Sequence, residues 1–328
     1  FVITQEDIAR SGARSLADVL AMAPGVEVAR IGNNRWAVSA RGWNSRFASK
    51  LQVLKDGRSV YSPLFSGVFW EAEDTVLEDI ERIEIIRGPN AAMWGSNAVN
   101  GTINIITKKA RDTQGGLVAV RAGTEDKGNV SARYGFAAGD NGHLRLYAKG
   151  GATRGGYASD DSRAGDKGDS GMVGFRGDWL LSSGNRLFVN GETYRYHNTD
   201  TYAFPDPLAA PSYVTRFDWT MAITGGHLQG RFESLNDDGS ELSIQSYLAH
   251  REMDVGNQMK EKRTTADVDV QYRLAPKGAH DLMIGANYRN SRDEIHSASS
   301  YVGFKGNRND FQLASIFAND EITVIPDR

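Results

Sequence analysis

Ala266-Asp267-Val268-Asp269-Val270-Gln271-Tyr272-Arg273-Leu274 decides how the longer part of this chain reads. Ala, Val, Val, Tyr and Leu hold the even positions, and Asp, Asp, Gln and Arg the odd ones. Strand side chains point alternately to opposite faces, so this is a strand with one apolar and one charged face. The pattern recurs in both directions. Leu282, Ile284, Ala286 and Tyr288 alternate with Asp281, Met283, Gly285, Asn287, Arg289; Leu144, Leu146 and Ala148 with Arg145, Tyr147, Lys149; Val130, Ala132, Tyr134 and Phe136 with Ser131, Arg133, Gly135. About ten such strands are expected over 111–328, least regular at 219–233 and 311–325. Short polar turns at 139–142, 182–185, 236–239 and 276–278 alternate with longer loops expected near 154–168, 198–218, 254–262 and 295–310. Short turns on one rim and long loops on the other is the layout of a membrane β-barrel. A soluble sandwich also alternates its faces but does not need this rhythm. Tyr194, Tyr196, Tyr247 and Tyr272 fit aromatic girdles, with ordinary strand propensity as the other explanation.

Composition agrees. The 328 residues include 36 Gly, 8 Pro and no Cys, at a formal net charge of −3. Many glycines with few prolines indicate turns and sheet rather than disorder. Without cysteine there are no disulfides, thiolate metal sites or thiol nucleophiles. A weakly acidic total lacks the basic footprint of nucleic-acid binding. No run of about 18 apolar residues exists, which rules out a transmembrane helix and leaves a barrel open. No signal peptide is visible ahead of Phe1.

The first ~110 residues read differently, as a compact mixed domain. Thr4…Asp7 and Ser15…Asp18 pair an N-cap hydroxyl with a carboxylate three residues on, the start of two short helices. Leu16, Val19 and Leu20 share a helical face, and Pro24-Gly25 stops that helix. Strands are expected at 26–30, 36–41, 51–56, 80–87 and 102–107, with a turn at Asp56-Gly57 and a short helix opened by Pro89 through Trp94.

Four stretches in this region carry a family resemblance. They are Val38-Ser39-Ala40-Arg41-Gly42-Trp43, Val53-Leu54-Lys55-Asp56-Gly57-Arg58, Leu77-Glu78-Asp79-Ile80-Glu81-Arg82-Ile83-Glu84-Ile85-Ile86-Arg87-Gly88-Pro89, and the run from Ala92-Met93-Trp94-Gly95 through Asn100-Gly101-Thr102-Ile103-Asn104-Ile105-Ile106-Thr107-Lys108. In this order they resemble the plug of TonB-dependent outer-membrane receptors, siderophore receptors in particular. The resemblance implies an α+β plug domain, 1–110, inside an antiparallel transmembrane β-barrel whose N-terminal part is 111–328. The intact family closes about 22 strands around a filled lumen. Twelve further strands would need roughly 250 more residues, so the chain is expected to be a fragment. The segment that meets the energy-coupling protein is not visible before Phe1, and the terminal aromatic strand used in assembly is missing.

The same resemblance implies a monomer in the outer membrane of a Gram-negative bacterium. Its partners would be a periplasmic TonB-type protein, outer-membrane lipid and a small metal chelate. The expected cargo is a ferric siderophore, with no permanently bound cofactor. Cobalamin, haem, copper or a glycan are other cargoes, and a passive porin or adhesin is another class, against which the plug landmarks speak. Ligand is expected on the apices 41–47 and 58–70 and on the upper wall, through Arg41, Trp43, Asn44, Arg46, Tyr61, Phe65, Tyr202 and Phe204. Arginines and aromatics suit an anionic aromatic ligand. For Phe69 and Trp70, packing inside the plug is the preferred reading. Arg82, Glu84 and Arg87 are candidates for pairing with wall residues such as Glu192, Asp267 or Asp269, with solvated strand charges that have no fixed partner as the equal alternative. The loop carrying Asp160, Asp161, Asp166 and Asp169 resembles the aspartate-rich outer loops that hold calcium in cobalamin receptors. Its spacing fits no EF-hand loop, and a solvated acidic loop is the preferred reading. No metal site and no enzyme motif is present.

Overall fold

The computed structural model describes the chain apart from residues 43, 91–94, 96, 125, 158–163, 182, 183, 257, 298–302, 305 and 325–328, and its side chains apart also from 202–205 and 217. The short helix expected through Trp94 therefore lies outside the described residues.

Both capped helices form. In α1 (Gln5–Ser11) the Asp7 amide donates to Thr4 Oγ1 at 3.2 Å, and the Thr4 amide donates to Asp7 Oδ2 at 2.9 Å. In α2 (Leu16–Leu20) Ser15 and Asp18 repeat the exchange at 3.2 and 3.1 Å. Each box satisfies helix-start donors that would otherwise be orphaned. Gly12, at φ 68°, ends α1 in the left-handed region that glycine reaches without strain.

Around them lie β1 (Val2–Thr4), β2 (Val26–Gly32), β3 (Arg35–Ala40), β4 (Leu51–Lys55), β5 (Arg58–Ser59), β6 (Ile80–Arg87) and β7 (Gly101–Thr107). Five of them make a sheet in the order β1-β6-β7-β4-β5, with β4 and β7 parallel, and β2 and β3 form a separate hairpin. Val19, Leu20, Val53, Ile80, Ile83 and Ile103 are fully buried between sheet and helices. Every member of this core lies between Ile3 and Ile105, so the plug has an apolar core of its own.

The second part is one ten-stranded sheet with neighbours in chain order. Its strands are β8 (Gly115–Arg121), β9 (Asp126–Ala137), β10 (Gly142–Thr153), β11 (Gly168–Leu180), β12 (Arg186–Pro205), β13 (Val214–Leu235), β14 (Glu241–Val255), β15 (Met259–Arg273), β16 (His280–Ser297) and β17 (Arg308–Ile322). All pairings are antiparallel. The irregular span 219–233 falls in β13, and 311–322 of the second in β17.

Two expected loops are mostly strand. The span 198–218 narrows to a connection at 206–213, and 254–262 to one at 256–258. A membrane strand needs only about 9–11 residues. With 20 and 22 residues, β12 and β13 extend past the hydrocarbon, and polar side chains on both faces there hide the alternation.

Register fixes the faces. Leu248 pairs with Ala266 and Val268 with Tyr288, and these stand outward with Leu248 56% and Val268 47% exposed. Tyr247 pairs with Asp267, and Asp267 with Arg289, on the inward face. Tyr196 and Tyr247 are only 5% exposed and Tyr194 packs beside Tyr196, so these three face the plug rather than forming a girdle. Tyr272 shares the outward face with Val268 and Val270.

Candidate ligand and plug-contact site

The plug meets the wall largely through charge. Asp79, 2% exposed, receives Arg133 and lies 3.4 Å from Arg145. Glu78 holds Arg121 at 2.6 Å and Asp74 holds Lys149 at 2.6 Å. Asp56 lies 3.5 Å from Arg176, and the sense reverses at Lys55, 3.3 Å from Glu192. The Asp56-Gly57 turn sits directly on the wall. Gln229 donates to the Asp56 carbonyl at 2.7 Å, and a Cβ at Gly57 would stand 2.7 Å from Gln245 Oε1. Higher up, the β2–β3 turn is fastened as well. The Asn33 amide donates to Asp166 at 2.7 Å, Asn34 Nδ2 donates to Thr153 Oγ1 at 2.8 Å, and Arg35 pairs with Asp200.

Burial shifts two plug groups. The Glu73 carboxyl is pushed up by loss of hydration, opposed by the charges of Arg58 and Lys55. Lys108 is pulled down chiefly by burial and also by Arg133.

Among the described residues, the apolar seam with the wall gathers around the apices. Leu64, Phe69 and Ala72, with Phe47 beside them, pack on Tyr196, Met221, Ile223, Met253, Val255, Met259 and Ile295. Phe47 stands 5.2 Å from Phe65 and 4.9 Å from Phe69, ring centre to ring centre. Trp70 turns instead into the plug core.

The expected ligand residues divide into groups. Arg41, at φ 61°, is exposed, with its guanidinium over Gly88. Asn44 is exposed, as is Phe65 at 48%. Arg46 is committed to the buried Glu71 and lies over the Phe47 ring. Tyr61 is half-buried and lines a cavity beside the apical seam. Trp43 and the side chains of Tyr202 and Phe204 lie outside the described residues, as do Asp160 and Asp161. Asp166 serves the fastening to Asn33, and Asp169 lies 3.2 Å from His197.

The expected plug–wall pairs differ from those observed. Arg82 pairs with Glu81 and Glu84 of its own strand, and Glu84 accepts from Asn104 at 3.0 Å. Arg87 lies over Gly25. Of the proposed wall partners, Glu192 takes Lys55, and Asp267 takes Arg289. The contacts missed were Asp74, Glu78 and Asp79 with Arg121, Arg133, Arg145 and Lys149, and Asp56 with Arg176. A usable signal was present: four successive strands, β8 to β11, each place a base on the face opposite the apolar one.

Comparison with known proteins identifies the first part. Residues 1–102 match the TonB-dependent Receptor Plug Domain. The first 102 residues are thus a plug domain of the TonB-dependent receptor type. It is 34% identical over 142 residues to a vitamin B12 transporter of Vibrio vulnificus, covering 42% of this chain and 22% of that protein. It is 30% identical over 211 residues to that of Vibrio cholerae, covering 60% and 33%. Among solved structures it resembles the siderophore receptor PirA of Acinetobacter baumannii (TM-score 0.76, 20% identity, 99% of this chain and 54% of that one). It also resembles the ferripyoverdine receptor of Pseudomonas aeruginosa (TM-score 0.74, 15% identity, 99% and 49%). The chain thus spans up to a third of these curated relatives and about half of these solved receptors. The described residues accordingly present a plug and a ten-stranded part of the wall around it.

Proposed function

We propose that this receptor imports a scarce iron chelate, a ferric siderophore, across the outer membrane, driven by a periplasmic TonB-type partner that shifts the plug. One observation carries the reading: the plug is a body with its own dry core, held to the wall mainly by ion pairs. Polar contacts can exchange for water and re-form, so such a body moves without exposing its core. Arg41, Asn44 and Phe65, exposed at the apex, are the proposed first contacts for an anionic aromatic ligand. The alternative cargo is a corrinoid, favoured by the identity to the two vitamin B12 transporters.

The test is uptake by the full-length receptor in a host lacking its own receptors for either cargo. Radio-iron delivered as ferric siderophore should accumulate only when the TonB-type partner is present. Partner-dependent uptake of cyanocobalamin instead would transfer the reading to the corrinoid. Uptake indifferent to the partner would overturn both.

A further inference from the structure

Beside the apical seam, the stem of the second apical loop and the inner wall line a half-open cavity of about 100 Å³. Arg58, Ser59 and Tyr61 line it from the plug, and Arg251, Arg263 and Arg289 from the wall. At ~30 Å³ for each water, it has room for about three waters or one small oxyanion. It adjoins the seam at Tyr194 and at Arg251, whose guanidinium lies 4.6 Å from the Phe69 ring centre, and extends from there to Tyr247. Its wall residue Tyr247 precedes Met253 of the seam by six positions, about 20 Å along a strand.

Three of the four arginines are already matched. Arg263 meets Asp293 through two bonds of 2.5 and 2.7 Å. Arg251 meets Glu261 at 2.7 Å and Arg289 meets Asp267 at 2.8 Å. Arg58 differs. It is 9% exposed, forms no ion pair among the described residues, and its Nε is buried without an acceptor. Arg251 Nε and His227 Nδ1, on the same cavity, also find no partner. Glu73 lines the cavity too, but burial raises its carboxyl and it makes no ion pair with Arg58. A guanidinium cannot shed its proton to escape burial, and its planar fork matches carboxylate and phosphate. The cavity therefore holds one arginine without an ion pair among the described residues, felt by Glu73 only at longer range, with unpartnered groups around it.

We propose that this cavity is an oxyanion site, taking a carboxylate or phosphate group. The occupant is a free small anion or, resting on the import reading above, an acidic limb of the cargo on its way past the plug.

Calorimetry on the full-length receptor in detergent, at low salt, tests this with inorganic phosphate and with citrate. The parent should bind at least one saturably. Arg58→Gln should weaken that binding at least tenfold, and Arg58→Lys, which keeps the charge, should recover part of it. Heat-modifiable migration on a gel checks that each variant is folded. A measurement on the unmutated receptor is independent of variant folding: bound anion should shield Arg58 from an arginine-directed dicarbonyl reagent, read by peptide mass spectrometry. No saturable binding of either anion, unchanged binding in folded Arg58→Gln, or no shielding would overturn the proposal. A ferric citrate signal abolished by saturating phosphate assigns the site to the cargo's acidic limb. Phosphate binding that ferric citrate leaves undisturbed assigns it to a free anion. Neither readout requires transport, so this site and the import reading can fail separately.

Discussion

Replacing Asp79 by Asn removes one carboxylate and leaves two wall guanidiniums facing a neutral group. Arg145 Nε lies 3.4 Å from Asp79, and the two side chains are each 3% exposed. At an effective dielectric near 20 that single attraction is worth about 5 kcal/mol before desolvation. Removing one partner of a buried pair costs about 3–5 kcal/mol, because the other charge stays buried. Asn keeps one acceptor oxygen, which places the loss near the lower end, about 3 kcal/mol. The plug core contains no wall residue, so the cost falls on docking rather than on plug folding. That is about a hundredfold in the docked-to-undocked ratio. In outer-membrane vesicles carrying the full-length receptor, Asp79→Asn should raise protease cleavage of the plug and leak of a large hydrophilic dye. Adding Arg145→Gln should cost little more than the worse single change, since the two share one interaction. Cleavage and leak within about twofold of the parent would refute the claim that ion pairs hold the plug, because the worked loss is far larger.

Two other predictions concern the plug itself. Ser15→Ala removes the hydroxyl that accepts the Asp18 amide at 3.2 Å, and should cost about 1 kcal/mol. Hydrogen-exchange mass spectrometry should then show α2 amides exchanging several-fold faster with α1 unchanged. Glu73 has a folded pKa above its ordinary 4.5, so its protonated form is favoured by folding. Its contribution is full at low pH and is lost as pH rises from 4.5 through the raised value. Glu73→Gln should therefore raise the melting temperature at neutral pH and flatten its dependence over that window; a lower melting temperature at pH 7 would contradict this.

What the sequence showed and what it hid have one physical origin. Alternation is legible where lipid demands an apolar face, as at Ala266–Leu274, and the ten strands follow from it. Above the hydrocarbon that demand ends. Lys260 and Lys262 point outward, Glu261 and Arg263 inward, and the segment 254–262 looked like a loop because both faces are charged. The capping boxes at Thr4 and Ser15 were legible because each is completed within four residues. The plug–wall pairs were not, because Asp79 meets Arg133 and Arg145 across 54 and 66 positions, and periodicity carries no information at that range. The inward placement of three of the four tyrosines was hidden for a related reason. Tyr196 and Tyr247 have ring and hydroxyl suited equally to a lipid interface and to a polar lumen, so residue type alone could not choose the face.

The edge of the plug sheet has a mechanical consequence. β1 is three residues long and lies antiparallel on β6, with Val2 opposite Glu84, Ile3 opposite Ile83 and Thr4 opposite Arg82. Phe1 adds two more bonds to Ile85, at 2.9 and 2.7 Å. A load entering through these first residues along the strand is shared by all the rungs at once. The same load applied across the strand meets them one after another, beginning at Phe1. Beyond them stands Ile3, 1% exposed, as a bolt in the core, followed by the capped turn at Thr4. The pairing of β1 with β6 is thus stiff in shear and weak in peel.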